Sequence, residues 1–235
     1  MAVATASVTH RAMDGRRFLL SGSLDLSAPF TSMVELTIAG RLHEFTAGSV
    51  GLANELAQSL GVTHFDEELT YQGGALLIAR VRSYDPQIRL SEERLVAAWR
   101  GRRYCFVTQL YGASTSDLLA VLRTVRITEH EDGLVVRPDT RAGSRFAAPA
   151  TVIKQVPGLG LLDMTALTAE RTRQLPSWRG LSTRAGELFR DMLSDGKPYF
   201  LLAATDTWVA VLPLADTVLD QVPTLLDRLR VQSGG

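Results

Sequence analysis

The sequence contains one cysteine, two lysines and no excess of either charge, and each shortage excludes a class of protein. Cys105 has no partner for a disulfide within the chain, which favours a reducing compartment. The 25 lysines and arginines are balanced by 25 aspartates and glutamates. A nucleic-acid binder needs surplus cations that displace phosphate counterions. We therefore expect no nucleic-acid partner.

Long apolar runs are also missing. The first ten residues lack the basic and apolar regions of a secretory signal. The runs Ala75–Ala79 and Tyr199–Ala204 are far shorter than the roughly 18–20 residues that span a bilayer. A hydrophobic fraction of 46% with 21% charged residues is typical of a globular chain. We expect a cytoplasmic protein that does not insert into a membrane.

Patterns for catalysis and for metal or cofactor binding are equally scarce. The four histidines share no metal-ligand spacing: His10, His43, His64 and His130. The Gly158–Gly160 turn lacks the third glycine of a dinucleotide loop and the lysine of a phosphate loop. A thiol at Cys105, beside two arginines, or the acidic cluster after His64 leaves an enzyme as a competing class. We favour a buried thiol and a solvated edge, and we predict no catalytic residue, no metal and no cofactor.

The apolar periodicity predicts strands and helices in an order that occurs twice. In the first half the strands are Met33–Ile38, Arg41–Phe45, Ala75–Val81, Leu95–Trp99 and Tyr104–Leu110, and the helices lie in Gly48–Leu60 and Ser116–Val125. In the second half the strands are Thr151–Val156, Gly186–Leu193, Tyr199–Ala204 and Thr207–Leu212, and the helices are Thr168–Leu175 and Asp216–Leu229. Pro223 is unfavourable inside the last helix. An alternative prediction is therefore that the final helical turns begin at Pro223.

A shift of the chain by 104 residues along itself supports the repetition. Val107, Leu110, Leu122 and Arg126 then fall on identical residues, although any strand–helix unit shows a similar pattern. We predict an α+β fold with two pseudo-symmetric halves, each a mainly antiparallel sheet with a C-terminal packing helix. The N-terminal half covers residues 1–137, a linker covers 138–150, and the C-terminal half covers 151–235. The halves are expected to share one sheet and core.

Aromatic and basic residues are the candidates for contact with a partner protein. Trp178 lies in a predicted loop, and Tyr111 and Trp99 lie at predicted strand ends. Tryptophan and tyrosine commonly anchor interfaces. Arg102 and Arg103 form a basic hairpin tip that could meet an acidic partner, although a charged tip is also ordinary surface.

Two segments resemble the EspG family, the cytosolic chaperones of type VII secretion in actinobacteria. Residues Ser91–Val125 resemble the end of that family's first half, where an arginine-bearing hairpin leads into an apolar helix. Residues Lys197–Leu229 resemble its C-terminus, with a match at Trp208, Val209, Val211 and Pro213. The chain is shorter than the family before Val62. The resemblance implies two quasi-twofold halves and a non-catalytic cytosolic chaperone or adaptor that masks a helical, PE/PPE-like partner.

A second resemblance gives the alternative. Residues Gly186–Arg190 and Ser194–Phe200, together with Trp208 and the C-terminal Arg228–Val231, are similar to PsbP/Mog1-like domains. These domains are small antiparallel sheets backed by helices. They imply a structural or ligand-binding protein without catalytic activity.

Overall fold

The computed structural model describes residues 5–85 and 90–234. Its strands are joined by antiparallel ladders and accompanied by a few short helices, so the α+β prediction is confirmed at that level. Among the described residues, each helix is too short or too polar to cross a membrane.

The strands in chain order are β1 (Ala6–Arg11), β2 (Arg17–Gly22), β3 (Phe30–Ile38), β4 (Arg41–Ser49), β5 (Glu67–Tyr71), β6 (Gly74–Asp85), β7 (Leu90–Arg100), β8 (Tyr104–Tyr111), β9 (Val125–His130), β10 (Gly133–Pro138), β11 (Arg145–Phe146), β12 (Thr151–Val156), β13 (Gly160–Ala166), β14 (Leu181–Ser182), β15 (Glu187–Met192), β16 (Pro198–Ala203), β17 (Thr207–Leu212) and β18 (Leu229–Gly234). The helices are α1 (Leu52–Ser59), α2 (Thr115–Arg123), α3 (Ala169–Arg173) and α4 (Val222–Leu226), and short 3₁₀ turns cover Thr140–Ala142 and Leu219–Gln221.

The chain divides into two compact units whose boundaries differ from the predicted halves. Unit 1 contains the residues up to Ala12, Arg16–Phe30 and the chain from Ala150 onward. Unit 2 contains Met13–Gly15 and Thr31–Pro149. The N-terminal strands therefore group with the C-terminal part of the sequence, which local periodicity could not indicate. The predicted linker at 138–150 is not a free connection either, because β11 within it pairs with β3.

In unit 2 the sheet has the strand order β3-β4-β8-β7-β6-β5. Strands β9 and β10 form an antiparallel hairpin in this unit. One face of the sheet is covered by α1, whose Ala53 and Ala57 pack with Val96, Ala98 and Val107. The other face carries large buried side chains such as Phe45 and Phe106. Apolar residues thus alternate to both faces, which explains the mixed apolar runs in the sequence.

In unit 1 the sheet has the strand order β12-β13-β17-β16-β15-β14, and β18-β2-β1 form a second group of strands. Helix α3 begins after Thr168, whose hydroxyl accepts a hydrogen bond from the Arg171 N–H at 3.2 Å. Phe189, Leu201 and Trp208 form a small apolar cluster in this unit, with Leu175 packed against it.

Lys154 is an unusual member of the unit 1 core, because only 1% of its surface is exposed. Its Nζ donates a hydrogen bond to the Ala28 carbonyl and lies 4.1 Å from the centroid of the Phe30 ring, which also stacks against His10. Burial lowers the pKa of Lys154, and the nearby Asp25 carboxylate opposes that shift. This lysine therefore fastens the segment before β3 to the sheet of unit 1.

The predicted closing helix Asp216–Leu229 is wrong in most of its length. A 3₁₀ turn leads into α4, which has only five residues and contains Pro223 in its first turn. Proline lacks the N–H that a helix interior needs, so the helical turns restart there, as the sequence also indicated. The chain then enters β18, so Leu229 and Val231 are strand residues that pair with Gly22 and Leu20.

Candidate functional site

Tyr111 lies at the end of β8 in unit 2, and 57% of its surface is exposed. It pairs with Arg94 of β7, and the following Gly112 donates its N–H to the Glu93 carbonyl at 2.9 Å. These contacts fix the backbone at the position where β8 leaves the sheet. Tyr111 is therefore a large aromatic side chain that is held by a strand of the sheet and exposed to solvent.

A groove of about 500 Å³ opens beside Tyr111. We call it the Tyr111 groove and define it by its lining residues, which are Ile38, Ala39, Arg41, Leu42, His43, Gln109, Leu110, Tyr111, Gly112, Ala113, Asp117, Ala120 and Val121. Leu42, which lines the groove, is 65% exposed. The groove therefore combines exposed apolar side chains with a small number of charged groups at its rim.

Local turn chemistry shapes the floor of this groove. β3 and β4 are joined by a two-residue turn at Ala39 and Gly40, and both have positive φ (49° and 77°). Two positive φ values define the tight hairpin turn that keeps the register of the flanking strands. Ile38 and Arg41 consequently lie opposite each other at the strand ends.

Helix α2 forms one wall of the groove and begins with a capping box. The Ser114 hydroxyl accepts the Asp117 N–H at 3.2 Å, and the Asp117 carboxylate accepts the Ser114 N–H at 2.8 Å. These Ser114 hydrogen bonds lower the pKa of Asp117. The carboxylate at the rim is therefore ionised at neutral pH and engaged by its own helix.

His43 adds little charge to the groove at neutral pH. Partial burial lowers the pKa of His43, and the neighbouring Arg41 guanidinium lowers it further. Both effects disfavour the imidazolium ion. Arg41 is accordingly the cationic side chain of the groove lining.

Strands β6 and β7 continue past their neighbours and form a two-stranded arm next to the groove. β5 pairs with β6 only as far as Ile78, and β8 pairs with β7 only from Arg94 onward. The pairing between β6 and β7 extends to Asp85 and Leu90. We call residues 79–85 and 90–93 the β6–β7 arm. Its outer strand edges lack a neighbouring strand in the described part of the chain, and its Tyr84 side chain is exposed.

Trp99, the second aromatic candidate of unit 2, is buried and is not a contact residue. Only 3% of its surface is exposed, its ring stacks with Phe106 at 5.9 Å, and its indole N–H donates to the Tyr71 carbonyl at 2.8 Å. A Cβ atom on Gly74 would stand 2.5 Å from this ring. The prediction failed because Trp99 lies on the core face of β7, which the sequence pattern alone does not distinguish.

Arg102 and Arg103 have exposed side chains, but their backbone has a structural role. The N–H groups of Arg102, Arg103 and Tyr104 donate to the Glu129 carboxylate at 3.1, 2.6 and 2.9 Å. Partial burial on its own would raise the pKa of Glu129, but these three donors outweigh it and lower the pKa. Glu129 therefore clamps the β7–β8 turn, and a contact between the arginine side chains and a partner stays a prediction.

Trp178 lies in unit 1, in the loop between α3 and β14, and 53% of its surface is exposed. Leu181, on the short edge strand that follows, is also exposed. The exposure expected from the sequence is therefore present, and the role of Trp178 in binding stays a prediction.

Cys105 and the His64–Asp66 pair, the groups considered for catalysis, do not have the surroundings that a reactive site needs. The Cys105 thiol is buried among the apolar residues under α1, and burial raises its pKa to about 11. A thiol with that pKa carries almost no thiolate at neutral pH. His64 and Asp66 form an exposed pair with Nε2 and Oδ1 3.2 Å apart. Within the described ranges, no three residues of metal-ligating type come together.

Sequence reasoning identified Tyr111 but missed its neighbour Leu42. The alternation in Arg41–Phe45 places Leu42 on the same face as Glu44 and opposite to Phe45. An apolar residue on an otherwise polar strand face was the available signal.

No known protein family matches the chain, and neither does any curated protein or any solved structure.

Proposed function

We propose that this protein is a non-catalytic cytosolic chaperone or adaptor that binds and masks a helical partner, of the PE/PPE-like kind that type VII secretion exports. The observation that carries the proposal is the Tyr111 groove, in which a tyrosine and a leucine are held in solvent by rigid strands. Contiguous exposed apolar side chains rimmed by charge are typical of surfaces that another protein covers.

The groove suits an α-helix. Asp117, Ala120 and Val121 line one wall at positions i, i+3 and i+4 of α2, so they share one helical face. The small Ala120 side chain leaves space for close approach of a second helix at this wall. A partner helix with apolar residues at the same spacing would lie between this wall and Leu42. Covering a mostly exposed leucine contributes about 1–2 kcal/mol before ordering costs are subtracted.

The β6–β7 arm supports the proposal with a second surface. Gly112, next to Tyr111, is bonded to Glu93 at the base of this arm, so groove and arm adjoin within unit 2. The outer edges of this arm have no neighbouring strand among the described residues, while its Ala79 and Val81 pack against the cluster under α1. Because the arm adjoins the groove, we include it in the proposed contact surface.

The order of elements supports the relation to a duplicated chaperone fold. In unit 2 a hairpin (β3–β4) is followed by a helix, by four meandering strands whose last one returns beside β4, and by a helix and a strand. In unit 1 the series that starts with the hairpin β12–β13 has the same order and ends with β18. We propose that the two units are related by duplication.

Burial at the 104-residue shift agrees with this duplication. Strands β9 and β18 start and end at positions that are 104 residues apart. The helix residues Leu118 and Leu122 are fully buried, and so are Val222 and Leu226 at the shifted positions. The repeated pattern in the sequence thus corresponds to repeated positions in the two cores.

Unit 1 differs at the place that corresponds to the groove. There the Gly158 N–H of the β12–β13 turn donates to the Asp216 carboxylate at 2.8 Å, which ties the hairpin end to the segment after β17. In unit 2 the corresponding segment begins with the exposed Gly112 and leaves an open groove. We therefore place helix binding in unit 2.

Site-specific photocrosslinking tests the proposal. The photoreactive amino acid p-benzoylphenylalanine replaces Tyr111 in one variant and Met192, an exposed side chain of unit 1, in a control variant. After irradiation of living cells, we expect the Tyr111 variant to form an adduct with one protein, and mass spectrometry to place the link on an apolar helical segment. The control variant should not form this adduct.

Two results would contradict the proposed function. One is a Tyr111 variant that gives no adduct, or the same adducts as the Met192 control. The other is a link to a segment that is not helical in the isolated partner or in its complex.

A further inference from the structure

Unit 1 contains a cavity of about 850 Å³ that lies apart from the groove residues and is lined only by residues of unit 1. Its wall is formed by the ends of β2 and β18, by the segment from β14 into the following turn, and by α4. This volume falls within the range of roughly 300–1,000 Å³ that small-molecule sites occupy. We call it the arginine cavity, after Arg184, Arg228 and Arg230 in its wall.

The charge of the arginine cavity is positive. Three guanidinium groups face one carboxylate, that of Asp227. Asp227 is already engaged, because its Oδ1 accepts the Arg184 backbone N–H at 2.9 Å and its Oδ2 lies 3.7 Å from the Arg184 Nε. In the part of the chain that the structure describes, Arg228 and Arg230 form no ion pair. Two guanidinium groups thus remain available to an anion.

Hydroxyl groups surround these arginines. Ser21 pairs with Arg230 across the β2–β18 ladder, so the two side chains are neighbours on one face. Ser182 and Thr224 also line the cavity. Within residues 5–85 and 90–234, the hydroxyls of these three residues form no hydrogen bond with the protein. The cavity therefore offers both charged and neutral donors.

We propose that the arginine cavity binds a small molecule that carries a phosphate group. Phosphate presents several acceptor oxygens, which match two forked guanidinium groups together with hydroxyl donors. The cavity wall is mostly polar, so an apolar ligand would leave these donors without partners. This site is separate from the Tyr111 groove and does not depend on the proposed chaperone function.

At the corresponding position in unit 2, a side chain covers the edge of β9. The Gln72 amide donates to the Val125 carbonyl at 2.8 Å and accepts the Ile127 N–H at 2.8 Å, so it covers the free edge of β9. The residues 104 positions later, Leu229 and Val231, have no such side-chain cover among the described residues. The space beside Gln72 is smaller, about 490 Å³. Unit 1 thus has the larger open space at this position.

Isothermal titration calorimetry tests the proposal by measuring the affinity of the protein for inorganic pyrophosphate in 150 mM NaCl at pH 7.5. We expect saturable binding at one site. The double variant R228Q/R230Q should bind at least about tenfold more weakly, because two charge-assisted contacts are lost. The matched control R173Q removes an exposed arginine of unit 1 outside the cavity and should bind within about twofold of the wild type. Citrate at equal concentration should bind more weakly than pyrophosphate.

The proposal is overturned if pyrophosphate shows no saturable binding, or if R173Q loses as much affinity as R228Q/R230Q. Equal binding of citrate and pyrophosphate would also overturn it, since it would show a general attraction of anions. Thermal melts of both variants must match the wild type. If R228Q/R230Q is less stable, the single variant S182A replaces it, with an expected loss of about threefold or more, and unchanged affinity of S182A then contradicts the proposal.

Discussion

At the scale of single residues, Trp99 and Tyr111 show how neighbouring strands give similar side chains opposite roles. Trp99 is packed against Phe106 in the core of unit 2, whereas Tyr111 is mostly exposed at the strand end. We predict that Trp99→Ala lowers the free energy of unfolding by about 3–5 kcal/mol. Tyr111→Ala should change it by less than about 0.5 kcal/mol. Urea denaturation measures both, and equal losses would contradict the assignment of Tyr111 to a binding surface.

Glu129 is expected to stabilise unit 2 in a pH-dependent way. Its pKa is lowered in the folded protein, because the backbone donors of the β7–β8 turn outweigh the effect of burial. A carboxyl group with a lowered folded pKa stabilises the fold above its unfolded pKa, near 4.3, and loses that contribution as the pH falls through the folded pKa. Glu129→Gln should therefore cost about 1–2 kcal/mol at pH 7.

Thermal melts from pH 7 to pH 3 check this prediction. The difference between wild type and Glu129→Gln should shrink as the pH falls below 4. Glu131→Gln, which changes an exposed neighbouring carboxylate, is the control and should follow the wild type at each pH. A constant difference across the range would show that Glu129 acts by packing instead of charge.

The reactivity of Cys105 distinguishes the proposed chaperone function from the competing enzyme class. Its pKa of about 11 and its buried position under α1 keep the thiol protonated and covered. We predict that iodoacetamide at pH 8 alkylates the native protein at least about a hundredfold more slowly than the urea-unfolded protein. Mass spectrometry of the intact chain measures both rates. Rapid alkylation of the native thiol would support a reactive cysteine.

At the scale of elements, α4 shows how a short helix is held by two side chains. Val222 and Leu226 are fully buried, while Val218, four residues before Val222, is exposed. Leu226→Asp places a charge in the core and should unfold unit 1, with a loss above about 4 kcal/mol. The control Val218→Asp should stay within about 0.5 kcal/mol of the wild type. Circular-dichroism melts check both, and a wild-type melt for Leu226→Asp would contradict this position of α4.

Nine of the eighteen strands in the described residues were predicted from the sequence, because alternation and turn glycines act locally, and β1, β2, β9, β10, β13 and β18 are among those missed. The hairpins β7–β8 and β16–β17 lie where the sequence predicts them. The end of the chain was predicted wrongly because Val222, Leu226 and Leu229 fit a helical period while Leu229 and Val231 also fit a strand. Pairing with β2, over 200 residues away in the sequence, makes the segment from Leu229 onward a strand. Such distant partners leave no local signal.

The candidate site was predictable only in part for the same reason. Tyr111 could be identified as an aromatic residue at a strand end. Leu42 and α2 join it through the pairing of β4 with β8 and through the packing of α2, which are tertiary contacts. Trp99 and Tyr111 looked alike in the sequence, and only the register of the sheet shows which one is buried.

At the scale of the whole molecule, the series from β3 to β9 in unit 2 and from β12 to β18 in unit 1 have the same order of elements but different open surfaces. Unit 2 leaves the Tyr111 groove open and fills the edge of β9 with Gln72. In unit 1 the Asp216 carboxylate binds the end of the β12–β13 hairpin, and the arginine cavity is open. Under the two proposals, one unit holds a helical partner while the other unit binds a different ligand.

The affinity of the crosslinked helical segment, made as a labelled peptide, tests the central claim most directly. Fluorescence anisotropy is measured for the wild type, Tyr111→Ala, Leu42→Ser and the control Met192→Ala. We predict that the first two substitutions each weaken binding by about tenfold, which corresponds to about 1.4 kcal/mol, and that the control does not. Equal affinity of all four proteins for the peptide would contradict helix binding in the Tyr111 groove.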